Sequence, residues 1–336
     1  MNDLGSMPAE CSSGTTRRLR GDAAGIAEAA RLLARGDLVA FPTETVYGLG
    51  ADATDAVAVA RIFAAKERPR FNPLIAHLPD TATARAEGDF DAAASRLAEA
   101  FWPGPLTLVV PAHEQTSVCD LARAGLASLA LRVPASALAQ DLLARVGRPI
   151  AAPSANRSGR VSPTSAAHVL GDLDGRAAAV LDGGATPVGL ESTVIACLGG
   201  KPRLLRPGGV PREAIRAVLG TELLDAEADS VERPVGPGLL ASHYAPRARV
   251  RLDAERIEPG EAALLFGPDS LPGLVDARAV INLSQQGDPA EAAARLFAAL
   301  RDLDASGAAV IAVARVPMAD LGEAINDRLR RAAAPR

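Results

Sequence analysis

The stretch that decides the reading is Phe41 to Leu78, FPTETVYGLGADATDAVAVARIFAAKERPRFNPLIAHL. It opens at the end of a short apolar run, Leu38 to Phe41, which breaks at Pro42 into a Thr/Glu/Tyr/Gly loop. Thr54 stands where a helix N-cap belongs, and the pattern predicts a helix from there to about Lys66, stopped by Pro69. A cationic cluster follows, Lys66, Arg68 and Arg70, stiffened by Pro69 and Pro73 before a second apolar run, Leu74 to His77. The chain holds 34 arginines and only two lysines, Lys66 and Lys201, so a Lys in this loop singles out its compact ammonium. The cluster has two readings. Cations at a helix C-terminus gain roughly 0.3–1 kcal/mol each from the macrodipole. A rigid, positive, proline-bounded loop also suits a polyanion such as a nucleoside triphosphate, because its ordering is already in place.

Outward from this stretch, helix-like and strand-like segments alternate. Asp22 to Arg35 carries Ile26, Ala29, Ala30 and Leu33 at helical spacing, and Leu38 to Phe41 reads as a buried strand. Further strands are predicted at Leu74 to His77, Leu106 to Val110, Leu129 to Val133, Ala179 to Asp182 and Thr193 to Leu198. Helices are predicted near Asp91 to Ala100, Ala135 to Arg145 and Pro163 to Leu170. The alternation implies an α/β fold with a mixed sheet, since several connections are short. Asp225 to Pro246 is rich in Pro, Gly and charge, as linkers are. Beyond it the pattern restarts, with strands at Val250 to Leu252, Ala262 to Phe266, Ala279 to Leu283 and Ala309 to Ala314. Helices at Pro289 to Leu303 and Leu321 to Ala332 complete a smaller Rossmann-like α/β domain. The expected organisation is a flexible N-terminus (1–16), a larger domain (17–222), a linker (223–246) and a C-terminal domain (247–336).

With 336 residues, two domains are expected. The chain is 48% hydrophobic but only 3% aromatic, so its cores should be built from Ala, Leu, Val and Ile. A net charge of −4 gives no global attraction to nucleic acid or anionic membrane. Cys11, Cys119 and Cys197 form no C-x-x-C, and the histidines show no metal-ligand spacing, so no protein-built metal site is expected. No apolar stretch approaches ~18 residues, and residues 1–16 lack the order of a signal peptide. A cytoplasmic protein is the expectation.

Ala151 to Val169, AAPSANRSGRVSPTSAAHV, follows a strand with a loop of hydroxyls, an amide and two arginines. Ser162-Pro163 reads as an N-cap followed by Pro at the first helical position, and such a helix start is a ready anion site. A plain polar connection is the other reading. Ser192 stands at the start of a strand in GLESTVI, and Arg206 is fixed between Leu204-Leu205 and Pro207-Gly208. Arg132 is a charge inside the apolar strand LALRVP and needs an anion, either a protein carboxylate or a substrate carboxylate. Gly200-Lys201-Pro202 fails as a P-loop, and Gly48-Leu49-Gly50 lacks the third glycine of a dinucleotide fingerprint. There is no G-x-S-x-G and no Cys/His pair, so the chemistry calls for no covalent protein nucleophile.

Taken in order, PTETVYGLG, KERPRFNPLIAH, FWPGPLT, LRVP, APSANRSGRVSPT, GLESTVI and LRPG resemble the threonylcarbamoyl-AMP synthase family with its YrdC-like fold. HYAP, His243 to Pro246, and the small domain after it resemble the family's long, two-domain form. The resemblance implies a nucleotidyltransferase that joins L-threonine, bicarbonate and ATP into threonylcarbamoyl-AMP and pyrophosphate. It also implies delivery to the machinery that threonylcarbamoylates tRNA beside the anticodon. By motif position, Lys66 and Arg68 resemble catalytic groups. Lys66, Arg68, Asn72, Ser128, Asn156, Thr164, Arg206 and His243 resemble ATP contacts. Thr45, His77, Arg132, Ser154 and Ser192 resemble the threonine pocket. Mg2+ is expected to arrive with ATP, without a dedicated protein site.

One departure concerns the linker. Ahead of HYAP the family's long form often carries basic and aromatic residues, whereas this chain has Leu239-Leu240-Ala241-Ser242, which leaves His243 and Tyr244 as linker contacts. A linker acting as a lid is one expectation. The alternative function is a double-stranded RNA-binding or ribosome-maturation module, which the net acidity disfavours. Carbamoyl-adenylate chemistry in metal-cofactor maturation would call for zinc-finger cysteine pairs, which this chain lacks.

Overall fold

Pro42 ends a strand and begins a hairpin. The Thr43 amide donates to the Val46 carbonyl (3.2 Å), and the Thr43 hydroxyl donates to the same oxygen (2.8 Å), closing a turn over residues 43–46. The computed structural model of the protein describes residues 14–69, 72–226 and 243–335. The larger domain begins with β1 (Arg17–Arg20), α1 (Ala23–Ala34), β2 (Val39–Pro42), β3 (Tyr47–Asp52), α2 (Ala56–Lys66) and β4 (Ile75–His77). It continues through α3 (Thr81–Glu87), α4 (Ala92–Phe101), β5 (Leu106–Pro111), β6 (Ser128–Arg132), α5 (Ala137–Val146) and β7 (Ile150–Ala151). Its last elements are α6 (Ala166–Leu173), β8 (Ala179–Asp182), β9 (Thr193–Ala196), β10 (Arg203–Arg206), α7 (Arg212–Leu219) and β11 (Leu224–Asp225). The smaller domain comprises β12 (Arg249–Arg251), β13 (Ala262–Leu265), β14 (Ala279–Asn282), α8 (Pro289–Ala305), β15 (Val310–Val313) and α9 (Gly322–Ala333).

The larger domain is one mixed sheet in the order β1-β8-β2-β3-β7-β4-β6-β5-β9-β10-β11. One face is covered by α1 and α5, with Leu32, Leu33, Leu142 and Leu143 packed on Val39, Phe41 and Leu181. The other is covered by α2, α4, α6 and α7, whose Ile62, Leu97, Val169 and Ile215 share a core with Leu49, Leu108 and Leu131. Each buried Leu, Ile or Phe contributes on the order of 1.5–3 kcal/mol. The smaller domain is an all-parallel sheet, β12-β15-β13-β14, with its first strand at the edge.

Asp22 caps α1, accepting from the Gly25 amide at 2.9 Å. Two predicted caps move. Asp55, not Thr54, caps α2 by accepting from the Val57 amide (2.8 Å), because Thr54 is drawn back onto the Asp52 carboxylate (2.7 Å). Ser165, not Ser162, caps α6. The Ser162 hydroxyl is committed to Glu191 (2.5 Å), and the Pro163 carbonyl accepts from the Tyr47 amide (2.9 Å), which keeps that stretch extended. Residues 47–52, expected as loop, form β3, paired antiparallel with β2 and β7. Gly50 makes this pairing possible, since a Cβ there would stand 2.8 Å from the Phe41 ring. The predicted linker lies mostly outside the described residues, which resume at His243. Among the described residues no helix is long and apolar enough to cross a membrane.

The domains share a core. Val46, Val161 and Leu190 of the larger domain are buried together with Tyr244, Phe297 and Leu300, and the Tyr244 and Phe297 rings stack at 5.5 Å. Ion pairs between described residues cross the seam at Arg301–Asp172 (2.7 Å), Arg212–Glu323 (2.6 Å) and Arg328–Glu191 (2.8 Å). Gly189, at φ +71°, passes so close to α8 that a Cβ would lie 2.5 Å from the Ala293 carbonyl oxygen. Gly189→Ala should therefore cost roughly 2–4 kcal/mol, from overpacking plus the left-handed backbone. Chemical denaturation measures this, and a midpoint equal to wild type would refute the close approach.

Candidate active site

A cavity opens at the meeting of β4, β6, the segment after β7, the start of β9 and the two domains. Its wall includes Arg68, Asn72, His77, Arg132, Ser154, Ser192, Arg206 and His243, all singled out from the sequence. Parallel pairing of β4 with β6 places His77 directly beside Arg132. Antiparallel pairing of β9 with β10 sets Arg206 opposite Val194 and brings it to Ser192.

Arg132 is 3% exposed and already engaged. Its Nη2 donates to Glu44 Oε1 (2.7 Å), its Nη1 to the Thr45 hydroxyl (2.9 Å) and its Nε to the Gly104 carbonyl (3.3 Å). The protein carboxylate thus satisfies part of the charge. One N–H on each terminal nitrogen remains, and Arg132 still lines the cavity. Thr45 itself is fully buried behind Arg132. The Ser192 hydroxyl lies 2.7 Å from that of Thr107, and Arg206 donates to the Ser192 carbonyl (2.8 Å) and hydroxyl (3.1 Å).

Among the described residues, Arg68 Nε, Asn72 Oδ1 and His243 Nδ1 in the wall, and Asn156 Oδ1 and Glu44 Oε2 beside it, are buried without a hydrogen-bond partner. Leaving such a group unpaired costs on the order of 1–3 kcal/mol, so a cluster of them marks a place that a polar ligand completes. The electrostatics agree. Burial holds the Arg68 guanidinium down at about 10, opposed by Tyr244 and reinforced by a smaller effect of Arg206. Burial, then the neighbouring Arg132, pushes His77 down to about 3. Burial also pushes His243 down to about 3. Burial opposes ionisation of Glu191, but Arg328, Arg206 and Ser162 overcome it and hold that carboxyl at about 2. Positive charge is in excess, and both imidazoles are neutral.

Other sequence-selected residues lie around the cavity rather than in its wall. Lys66, 1% exposed, turns its ammonium to the Ser154 and Asn156 carbonyls, beneath the loop that carries Ser154. Burial, then Arg68, holds its ammonium well below the usual lysine range. Asn156 ties the same loop by donating to the Arg157 and Arg160 carbonyls (both 2.8 Å). Thr164 is buried beside His168, its hydroxyl 3.3 Å from Nδ1. Ser128 begins β6, opposite Pro111, roughly 13 Å along the strand from Arg132. A ligand touching both must extend past the cavity wall. Arg70 lies outside the described residues. Sequence reasoning missed Glu44, the partner of Arg132, and Arg331 of α9, which lines the cavity from the other domain. Among the described residues no cluster of His, Cys, Asp or Glu is arranged to hold a metal ion.

Residues 31–208 match the family model described as Telomere recombination (Sua5/YciO/YrdC), and residues 210–334 match Threonylcarbamoyl-AMP synthase, C-terminal domain. The threonylcarbamoyl-AMP synthase of Bacillus subtilis is 41% identical over 93% of each chain. The chain belongs to the threonylcarbamoyl-AMP synthase family. The Pyrococcus abyssi member is 43% identical over 90% of this chain and 92% of its own. A crystal structure of P. abyssi Sua5 complexed with L-threonine superposes with a TM-score of 0.85, at 39% identity, over 95% of this chain and 97% of that one.

The neutral imidazoles give a prediction. The unfolded chain protonates His77 and His243 near 6.5, and the folded chain only near 3. The folded state therefore binds fewer protons between those values and loses stability as pH falls through that window. Glu191 adds to the loss lower down, between its ordinary 4.5 and about 2. The NMR ring signals of His77 and His243 should show no titration from about pH 8 to pH 5. A midpoint near 6.5 for either ring would contradict the burial described. A second prediction concerns Lys66→Met, which should keep the fold yet lower turnover about 10²-fold through the displaced loop. Wild-type turnover in a folded variant would reduce Lys66 to an ordinary helix end.

Proposed function

We propose that this protein is an L-threonylcarbamoyladenylate synthase, converting L-threonine, bicarbonate and ATP into threonylcarbamoyl-AMP and pyrophosphate. The observation that carries this reading is the arginine-rich cavity with unpartnered polar atoms, in a chain that matches the family from end to end. An excess of fixed guanidinium groups suits two anions held side by side, a carboxylate and a triphosphate.

The threonine side comprises Arg132, Thr45, His77, Ser154 and Ser192. The two open N–H groups of Arg132, which Thr45 orients from behind, take the substrate carboxylate, and the Ser154 and Ser192 hydroxyls and neutral imidazole read its side-chain hydroxyl. The nucleotide side comprises Arg68, Asn72, Arg206 and His243. Lys66 and Asn156 hold the adjoining loop, with Thr164 and Ser128 further along the nucleotide. The threonine amine captures CO2 from bicarbonate as a carbamate. A carbamate oxygen attacks the ATP α-phosphorus, forming a P–O bond as the bond to pyrophosphate breaks. Arg68 and Arg206 stabilise the charge that develops on the phosphates, so the step is driven by positioning and electrostatics. Mg2+ enters with ATP on phosphate oxygens and water, consistent with Glu44 and Glu191 already being engaged by arginines. The product is an activated carbamoyl group, and the class of reaction that consumes it is transfer to a tRNA adenosine in the cytoplasm.

Pyrophosphate release from ATP, measured with and without L-threonine and bicarbonate, tests the reading. Release should require both. Release independent of threonine would overturn it.

A further inference from the structure

Residues 189–192 run from the domain seam into the cavity, and each is held from a different side. Gly189 abuts the α8 backbone, and Leu190 is fully buried among C-terminal side chains. Glu191 accepts from the Ser162 hydroxyl (2.5 Å) and from Arg328 Nε (2.8 Å). Its backbone carbonyl accepts from the Gly209 amide (3.0 Å), in the turn that follows Arg206. Ser192 then enters the cavity wall.

Arg328 is fully buried on α9. A second nitrogen binds Asp327 (2.6 Å), its guanidinium carbon lies 5.2 Å from the Tyr244 ring centroid, and Nη2 has no hydrogen-bond partner among the described residues. Apolar side chains of similar volume would join the domains at least as firmly, because a buried ion pair seldom adds net stability. What the pair supplies is direction, as it holds one carboxylate in one place.

We propose that Arg328 is a positioning residue of the reaction: it reaches across the domain seam, fixes Glu191, and so sets Ser192 against the amino-acid substrate. This rests on the threonine-side reading given above. The charged and titratable groups facing Glu191 are Arg328, Asp327 and Arg331 from α9, Arg206 from β10, and His243 and Tyr244. With Arg328 gone, the largest charge opposing burial is lost, and the Glu191 carboxyl protonates at higher pH than in wild type.

Threonine-dependent pyrophosphate release is measured for Arg328→Met, Arg328→Lys, Glu191→Gln and the double variant Glu191→Gln/Arg328→Met. Arg328→Met should raise the threonine KM roughly 10- to 100-fold, the scale of an ~1 Å misplacement, with the ATP KM within about threefold of wild type. Its threonine KM should gain a pH dependence that wild type and the double variant lack. Arg328→Lys should fall between wild type and Arg328→Met, and it carries the test if Arg328→Met does not fold. If Arg328 acts through Glu191, the double variant is no worse than the worse single variant. Unchanged threonine KM, equal rises in both KM values, or additive single effects would overturn the proposal. If wild type releases no threonine-dependent pyrophosphate, the functional reading fails, and amide exchange at residues 190–192 tests the link alone. Faster exchange in Arg328→Met or Arg328→Lys supports it, and unchanged exchange overturns it.

Discussion

Among the described residues, four guanidinium groups, Arg68, Arg132, Arg206 and Arg331, share the wall of one cavity with a single carboxylate, Glu191. Removing a guanidinium from water is costly unless an anion meets it. The protein answers this only in part. Glu44 is given to Arg132, Asp327 to Arg331, Glu191 to Arg328, and backbone and hydroxyl oxygens to Arg206. The remainder shows as lowered proton affinity at Arg68 and Lys66 and as neutral histidines. Charge of this kind is held ready for anionic ligands, and the loops around the cavity follow from that constraint.

The fold meets it by bringing strand ends together. The β4–β6 register sets His77 beside Arg132, and the β2–β3 turn lifts Glu44 and Thr45 onto the same guanidinium. The segment after β7 is propped from below by Lys66. His243 and Tyr244, at the end of the linker, and Arg331 of the C-terminal domain close the remaining side. That domain adds to the same hydrophobic core, so the cavity is a product of both domains.

Much of this was legible in the sequence, and the exceptions have physical causes. Apolar runs located most elements, since their signals are local. β3 was not legible, because Tyr-Gly-Leu-Gly-Ala-Asp has no β-branched residue and forms by pairing on both sides. β1, Arg-Arg-Leu-Arg, likewise exists through its parallel pairing with β8. Ser162 looked like a cap only until its hydroxyl was needed by Glu191, 29 residues away in sequence. Arg132 was legible as a buried charge in want of an anion, though its protein partner, Glu44, was not. Arg328 and Arg331 were hidden because arginines in the last turns of an amphipathic helix read as a solvated, dipole-favoured end. Only the other domain makes them part of a site.

The central claim is that this cavity joins a threonine-derived carbamate to AMP. The most direct measurement is mass spectrometry of the adenylate formed from ¹³C-bicarbonate, L-threonine and ATP. The account predicts an adenylate that carries threonine and gains one mass unit from the labelled carbon. An adenylate of threonine without that carbon, or AMP alone, would contradict it.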